Sequence, residues 1–257
     1  MWEGARSVTP EQGIEDGRAL VQAGFEMLDV GAVAARSGLE VPADEEATAL
    51  VPTITGLAES GVPVSADTFN PEVARQALEA GAVAINDIGG GSAEMFELAA
   101  ETGCGLVLMQ IEGPPRSDRP PPRHQDVIDH LTVWFSGRLE AASAHGVAAE
   151  QIALDPGLDF DLGLDDDLAV LARLGELRSL GRPLYVSLSR KDFLGAVLSG
   201  SWERRAPAAE REWATAAAAA LAVAGGADLL RLHDASALQA VRVAARIAGG
   251  DGDGDAG

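Results

Sequence analysis

Lysine is almost absent: of the 19 basic side chains only Lys191 is a lysine, and the rest are arginine. Cysteine is reduced to Cys104, which excludes an internal disulfide framework and any zinc site built on several cysteines, and fits a reducing compartment. Aromatic residues make up 4% of the chain, so a core has to come from Ala, Val, Leu and Ile, which the 47% hydrophobic share supplies. Basic charge is scarce as well. With 40 acidic groups the formal charge is -21, which repels a nucleic-acid backbone and an anionic membrane surface alike. No apolar run approaches the roughly 18 to 20 residues of a membrane span, and no charged-then-apolar leader opens the chain. The expectation is a cytoplasmic protein with no nucleic-acid and no membrane partner.

What is present is a repeat of short apolar runs and helix-like stretches. The runs are EMLDV (26–30), VPVSADT (62–68), VAINDI (83–88), GLVLMQI (105–111), IALDPG (152–157), LYVSLS (184–189) and DLLRLHD (228–234). Between them lie helix formers such as PEVARQALEAG (71–81) and REWATAAAAALAVAGG (211–226), with Pro71 near a start and Gly81 and Gly225 past the ends. Strand followed by helix throughout implies α/β structure with parallel strands buried on both faces, in an open doubly wound sheet or a closed barrel. No GxGxxG follows an early strand, and polar residues end many different strands, which favours a (β/α)8 TIM barrel over residues 1–248. A chain of 257 residues suits one such barrel. The strand count is one short. Either Trp2 to Ser7 makes a weak strand or the first βα unit is missing, because residues 11–24 already read as a helix. Residues 249–257, with Asp251, Asp253 and Asp255, read as a disordered acidic tail. The loop EGPPRSDRPPPRHQ (112–125) holds five prolines and reads as a lid or a plain surface excursion.

Polar side chains at the C-terminal ends of barrel strands converge on one mouth, and here they are Asp29, Asp67, Asn86, Gln110, Asp155, Lys191, Arg231 and His233. An isolated Asp after a strand is more often a helix cap, and both Asp155 and Asp234 admit that reading. Asn86 with Asp87 and the following glycines admits a turn. Seven strands each ending in a polar group exceed what capping needs. His233 is no zinc ligand by spacing, since no second His or Cys lies near it.

Four segments carry a family resemblance: VSADTFNPEVARQALEAGAVAINDIGGG (64–91), IALDPGLDF (152–160), LSRKDFLG (188–195) and LLRLHD (229–234). Together they resemble the pterin-binding TIM-barrel family, and within it the dihydropteroate synthases, over residues 11–248. The resemblance implies a transferase of folate biosynthesis. In such an enzyme the amine of p-aminobenzoate displaces pyrophosphate from a 7,8-dihydropterin-6-ylmethyl diphosphate, assisted by Mg2+, in a barrel that forms a homodimer. It implies that Asp67, Asn86, Asp155 and Lys191 bind the pterin, that Arg36, Arg231 and His233 bind the pyrophosphate, and that Ser189 and Arg36 lie at the aminobenzoate. Asp67, Lys191, Arg231 and His233 are the implied catalytic groups. With Arg190 and Arg36, the cations would build a local positive basin against the acidic whole. Lys191 as a snorkelling surface lysine, and Ser189 as a cap of the next helix, are the plainer alternatives.

The resemblance is uneven. The family's first loop, with its metal-binding asparagine, has no counterpart, since VTPEQG (8–13) reads as the start of a helix and leaves the metal ligands unassigned. Where the family's second loop has an acid, a serine and a threonine, this chain has Val33, Ala34 and Ala35, while Arg36 remains. Asp159, Asp161 and Leu162 stand where glycines and a lysine are usual, and Gln110 stands for a histidine. Besides a synthase, a pterin-binding paralogue without that activity or with a different second substrate is open. A pterin-dependent methyltransferase is disfavoured by the SRK and R-x-H-D motifs.

Overall fold

The structure is a computed structural model that describes residues 9–33, 41–116 and 121–249. The strand proposed at Trp2 to Ser7, Arg36, and the acidic tail beyond Gly249 lie outside the described residues.

In chain order the elements are α1 (Pro10–Ala23), β1 (Leu28–Val30), α2 (Ala43–Ala58), β2 (Val64–Asp67), α3 (Pro71–Glu79), β3 (Ala84–Asp87), α4 (Ala93–Thr102), β4 (Gly105–Met109), α5 (Val127–Ala144), β5 (Ile152–Asp155), α6 (Leu164–Ala172), β6 (Tyr185–Ser187), α7 (Asp192–Ser199), α8 (Glu212–Ala224), β7 (Leu229–Arg231) and α9 (Ser236–Ala248). All seven expected strands form. VTPEQG is indeed a helix start: the Thr9 hydroxyl accepts from Gln12 N at 3.3 Å, Pro10 opens the first turn, and Gly24 in the left-handed region closes the helix.

Strands β1 to β5 pair in parallel and in sequence order, β6 pairs with β7, and one bridge between Leu154 and Leu184 continues the ladder from β5 to β6. This sequential order excludes the doubly wound sheet, whose strand order reverses at a switch point. Side chains join the last strand to the first: Arg231 Nε on β7 donates to Asp29 Oδ2 on β1 at 2.6 Å. The core is aliphatic, as the composition required. Leu50, Ile54, Leu57, Ile85, Leu106 and Leu108 are almost fully buried, with Phe96, Phe135 and Phe193 the large aromatic exceptions. Val107 on β4, Ala153 on β5 and Tyr185 on β6 pack together in a separate small cluster.

Register decides which polar groups become neighbours. Asp29 pairs with Ser65, Asp67 with Asn86, and Met109 with Asp155, so the strands end at one level and present their last side chains at one mouth.

Candidate active site

The first strand contributes the hub of the mouth. Asp29 Oδ1 accepts from Ser65 Oγ at 2.6 Å, while Oδ2 accepts from Asn86 Nδ2 at 3.0 Å and from Arg231 Nε at 2.6 Å. Arg231 also donates Nη2 to Asp67 Oδ2 at 3.3 Å and Nη1 to His233 Nε2 at 3.1 Å. One guanidinium thereby spans β1, β2 and its own strand, which its planar fork of donors permits and a lysine would not. Sequence reasoning placed Asp29 at the mouth but gave it no role. The signal, an acid ending the first apolar run, was the same as for Asp67.

Asn86 and Asp87 divide their work. Asp87 makes the turn, accepting from Gly89 N at 2.7 Å and Gly91 N at 2.8 Å, and burial raises its pKa to about 6. Gly91 is obligatory there: its φ is +81°, and a Cβ would stand 2.4 Å from the Phe96 ring. Asn86 is left to the mouth, where its amide meets Asp29. Its Oδ1 is buried with no hydrogen-bond partner among the described residues, which costs about 1–3 kcal/mol unless a donor arrives. Gln110 Oε1 and the hydroxyl of Tyr185 are in the same condition. Tyr185 is the chain's one tyrosine, and its pKa is pushed up by burial and by Asp29. The alternation of LYVSLS places Tyr185 on the same strand face as Ser187 and Ser189, which is how it could have been found.

Asp155 makes a tight turn, Oδ1 accepting from Gly157 N at 2.8 Å. A Cβ on Gly157 would lie 2.3 Å from the Gln110 carbonyl, so the glycine of DPG is fixed by close approach of the chain leaving β4. Lys191 is partly buried, not snorkelling. Its Nζ donates to Leu158 O at 2.9 Å and stands 4.6 Å above the Phe160 ring.

Ser189 does not cap α7. Its Oγ accepts from His233 N at 2.8 Å and ties the end of β6 to the end of β7. The carboxylate of Asp159 serves the helix instead, accepting from Asp192 N and, at 3.0 Å, from Phe193 N. Asp159 itself has φ +70°, a conformation open to glycine and tolerated by Asp. An acid in place of a glycine thus keeps the turn and supplies a cap.

These groups are close enough to act on one another's charge. The pKa of Asp67 is raised to about 7 by burial and by Asp29, against the pull of Arg231 and Lys191. Asp155 is raised to about 6 by burial, again opposed by Lys191 and Arg231. Lys191 is lowered by burial, although Asp159 and Asp155 support its charge. His233 falls to about 4 through burial and the charges of Arg231, Lys191 and Arg190, so it is a neutral imidazole at physiological pH. The positive basin expected from sequence is therefore not what the described residues form. Arg231 is balanced by Asp29 and Asp67, Arg190 by Asp234 at 2.9 Å, and His233 carries no charge. Buried cations recruit carboxylates because an unpaired buried charge costs several kcal/mol.

A magnesium ion asks for near-octahedral oxygen ligands and usually keeps several waters. Among the described residues the mouth offers no free oxygen cage for a resident ion: Oδ2 of Asp29 and Oδ2 of Asp67 are engaged by Arg231, and Oδ1 of Asp29 by Ser65.

The arrangement has close relatives. The family profile described as "Pterin binding enzyme" matches residues 2–233. A dihydropteroate synthase of Synechocystis sp. is 38% identical over 229 residues, covering 88% of this chain and 78% of that one. The chain belongs to the dihydropteroate synthase family. Among solved members, a Xanthomonas albilineans dihydropteroate synthase with 4-aminobenzoic acid superposes with a TM-score of 0.84 at 32% identity, covering 95% of this chain and 86% of that chain. The same organism's enzyme in complex with 7,8-dihydropteroate gives 0.81 at 32% identity, covering 95% and 87%. The family's TIM-barrel fold accordingly applies here. Among the described residues no helix is long and apolar enough to cross a membrane.

Proposed function

We propose that the chain is a dihydropteroate synthase that condenses 7,8-dihydropterin-6-ylmethyl diphosphate with p-aminobenzoate and releases pyrophosphate. The observation that carries this reading is the unmatched, buried Oδ1 of Asn86 at the mouth, in register with Asp67, where Lys191 acts on the charges of both Asp67 and Asp155. A flat heterocycle edged with N–H and amino donors supplies what Asn86 and the two carboxyls lack, and Lys191 answers its acceptors. Such pairing rejects rings without the complementary groups.

In the reaction the C–O bond to the diphosphate breaks, a C–N bond to the arylamine forms, and the amine loses a proton. Positive charge develops at the pterin methylene as the diphosphate leaves, and Asp67 is the carboxylate proposed to face it. Arg231 and neutral His233 are proposed to donate hydrogen bonds to the departing oxygens, so catalysis rests on dipoles and charges held in place beforehand. Ser189, with Arg36, is proposed at the aminobenzoate. Mg2+ in this reading arrives with the diphosphate, since the described residues hold no cage for it. A cytoplasmic location suits the single, buried Cys104. A homodimer is proposed through the helical exterior, where Trp213, Leu221, Val243 and Ile247 are exposed.

The test mixes the purified chain with the dihydropterin diphosphate, p-aminobenzoate and Mg2+ and measures dihydropteroate and pyrophosphate in equal amounts. Pterin binding without product would replace the synthase reading with a binding paralogue.

A further inference from the structure

One cluster of side chains adjoins Gln110 at the edge of the mouth. Glu112 lies just beyond β4, His124 shortly before α5, and His130 within the first turns of α5. One ligand atom of each lies within 4.8 Å of the others, and all three residues are partly buried. We propose that Glu112, His124 and His130 bind one divalent cation of the zinc class, at a site that adjoins Gln110 and uses none of the four residues proposed to hold the pterin.

The donor set selects the ion. Two imidazole nitrogens and one carboxylate oxygen are the three-ligand arrangement that holds Zn2+ while leaving a position for water, whereas Mg2+ and Ca2+ take oxygens. The surroundings are those of a ligating set. His124 Nδ1 pairs with Asp166 Oδ2 at 2.9 Å, a carboxylate–histidine contact that fixes the tautomer and leaves the other ring nitrogen for an ion. Gln110 Nε2 donates to Glu112 Oε1 at 3.1 Å and aims that carboxylate. His130 Nε2 meets Glu112 Oε1 at 2.8 Å, and the two imidazoles stand 4.1 Å apart between centroids.

The ligands also sit on fixed backbone. Glu112 N donates to Asp161 Oδ2 at 2.6 Å, and Asp126, the cap of α5, is held by Arg173 at 2.9 Å. A bound ion would join the exit of β4 to the start of α5 across the proline-rich segment. Gln110, beside the ion site, reaches β5 through its N–H to Asp155 O at 2.8 Å.

The test uses the full-length chain without a histidine tag, freed of metal with a chelator. Titration with Zn2+ in a calorimeter, and with Co2+ followed by its d–d absorption, is expected to show saturation at one equivalent with an intense low-coordination Co2+ spectrum. His130→Ala and Glu112→Ala are each expected to weaken Zn2+ binding at least tenfold, and Asp166→Asn by about 10–100-fold. A millimolar excess of Mg2+ should leave the Zn2+ isotherm in place. The Co2+ spectrum of the unaltered chain stands even where a variant misfolds. No uptake, displacement by Mg2+, or a folded His130→Ala that binds Zn2+ as the parent does would each overturn the proposal.

Discussion

Lys191 and Asp67 carry the sharpest expectations at the scale of single residues. Lys191 is partly buried over Phe160, and Asp155 supports its charge. Lys191→Ala or Asp155→Ala should weaken binding of a dihydropterin analogue by about 1–3 kcal/mol, the size of one buried polar partner lost. Unchanged affinity in calorimetry would remove the pterin from this cavity. Asp67 can be followed by pH. Its pKa is about 7 in the folded chain against an ordinary 3.8, so folding holds its proton more tightly. That contribution to stability is fully present below about pH 4 and disappears as pH rises through 7. His233 acts in the opposite sense, losing stability as pH falls from 6.5 toward 4, but Asp87 and Asp155, each raised to about 6, side with Asp67. Asp67→Asn is therefore expected to flatten the fall in stability between pH 5 and pH 8, as read from urea melts. An identical slope in the variant would contradict the raised carboxyl.

At the scale of elements the loop after β5 is the informative piece. Asp159 combines a left-handed backbone with two hydrogen bonds to the first N–H groups of α7, the helix that begins beside Lys191. Asp159→Ala should cost about 1–2 kcal/mol for the lost cap, with a similar penalty for placing Ala at positive φ. Asp159→Asn keeps the acceptor and the tolerance of that φ and should cost less. Thermal melts would rank the two, and equal losses would show that charge rather than geometry is needed. Such effects were illegible beforehand. The sequence shows Asp159 as a departure from the family's glycine, but only the approach of α7 gives its carboxylate a pair of donors. Ser189 teaches the same lesson in reverse: its spacing from α7 suited a cap, and the proximity of β7 gave it the backbone N–H of His233 instead.

For the whole molecule, a charge of -21 repels itself, and stability should respond to salt. Going from about 0.01 to about 0.15 M NaCl shortens the screening length from roughly 30 to 8 Å. Tm is expected to rise by a few degrees, about 2–4 °C per kcal/mol for a chain of this size, and a fall on adding salt would mean that ion pairs outweigh the net repulsion. That acidity, the seven apolar runs, the βα alternation and the polar residue ending each run were all properties of sequence. They determined the fold class and gathered most of the mouth, because the period of hydrophobicity and the direction of parallel strands are local consequences of residue order. Pairing across distance was decided only in three dimensions. Arg231 meets Asp29 from the far end of the chain, the anticipated positive basin becomes a balanced network, and His124 and His130 come face to face with Glu112. Partner choice depends on which strand ends and loops the tertiary fold brings within a few ångströms, and no spacing along the chain encodes that distance.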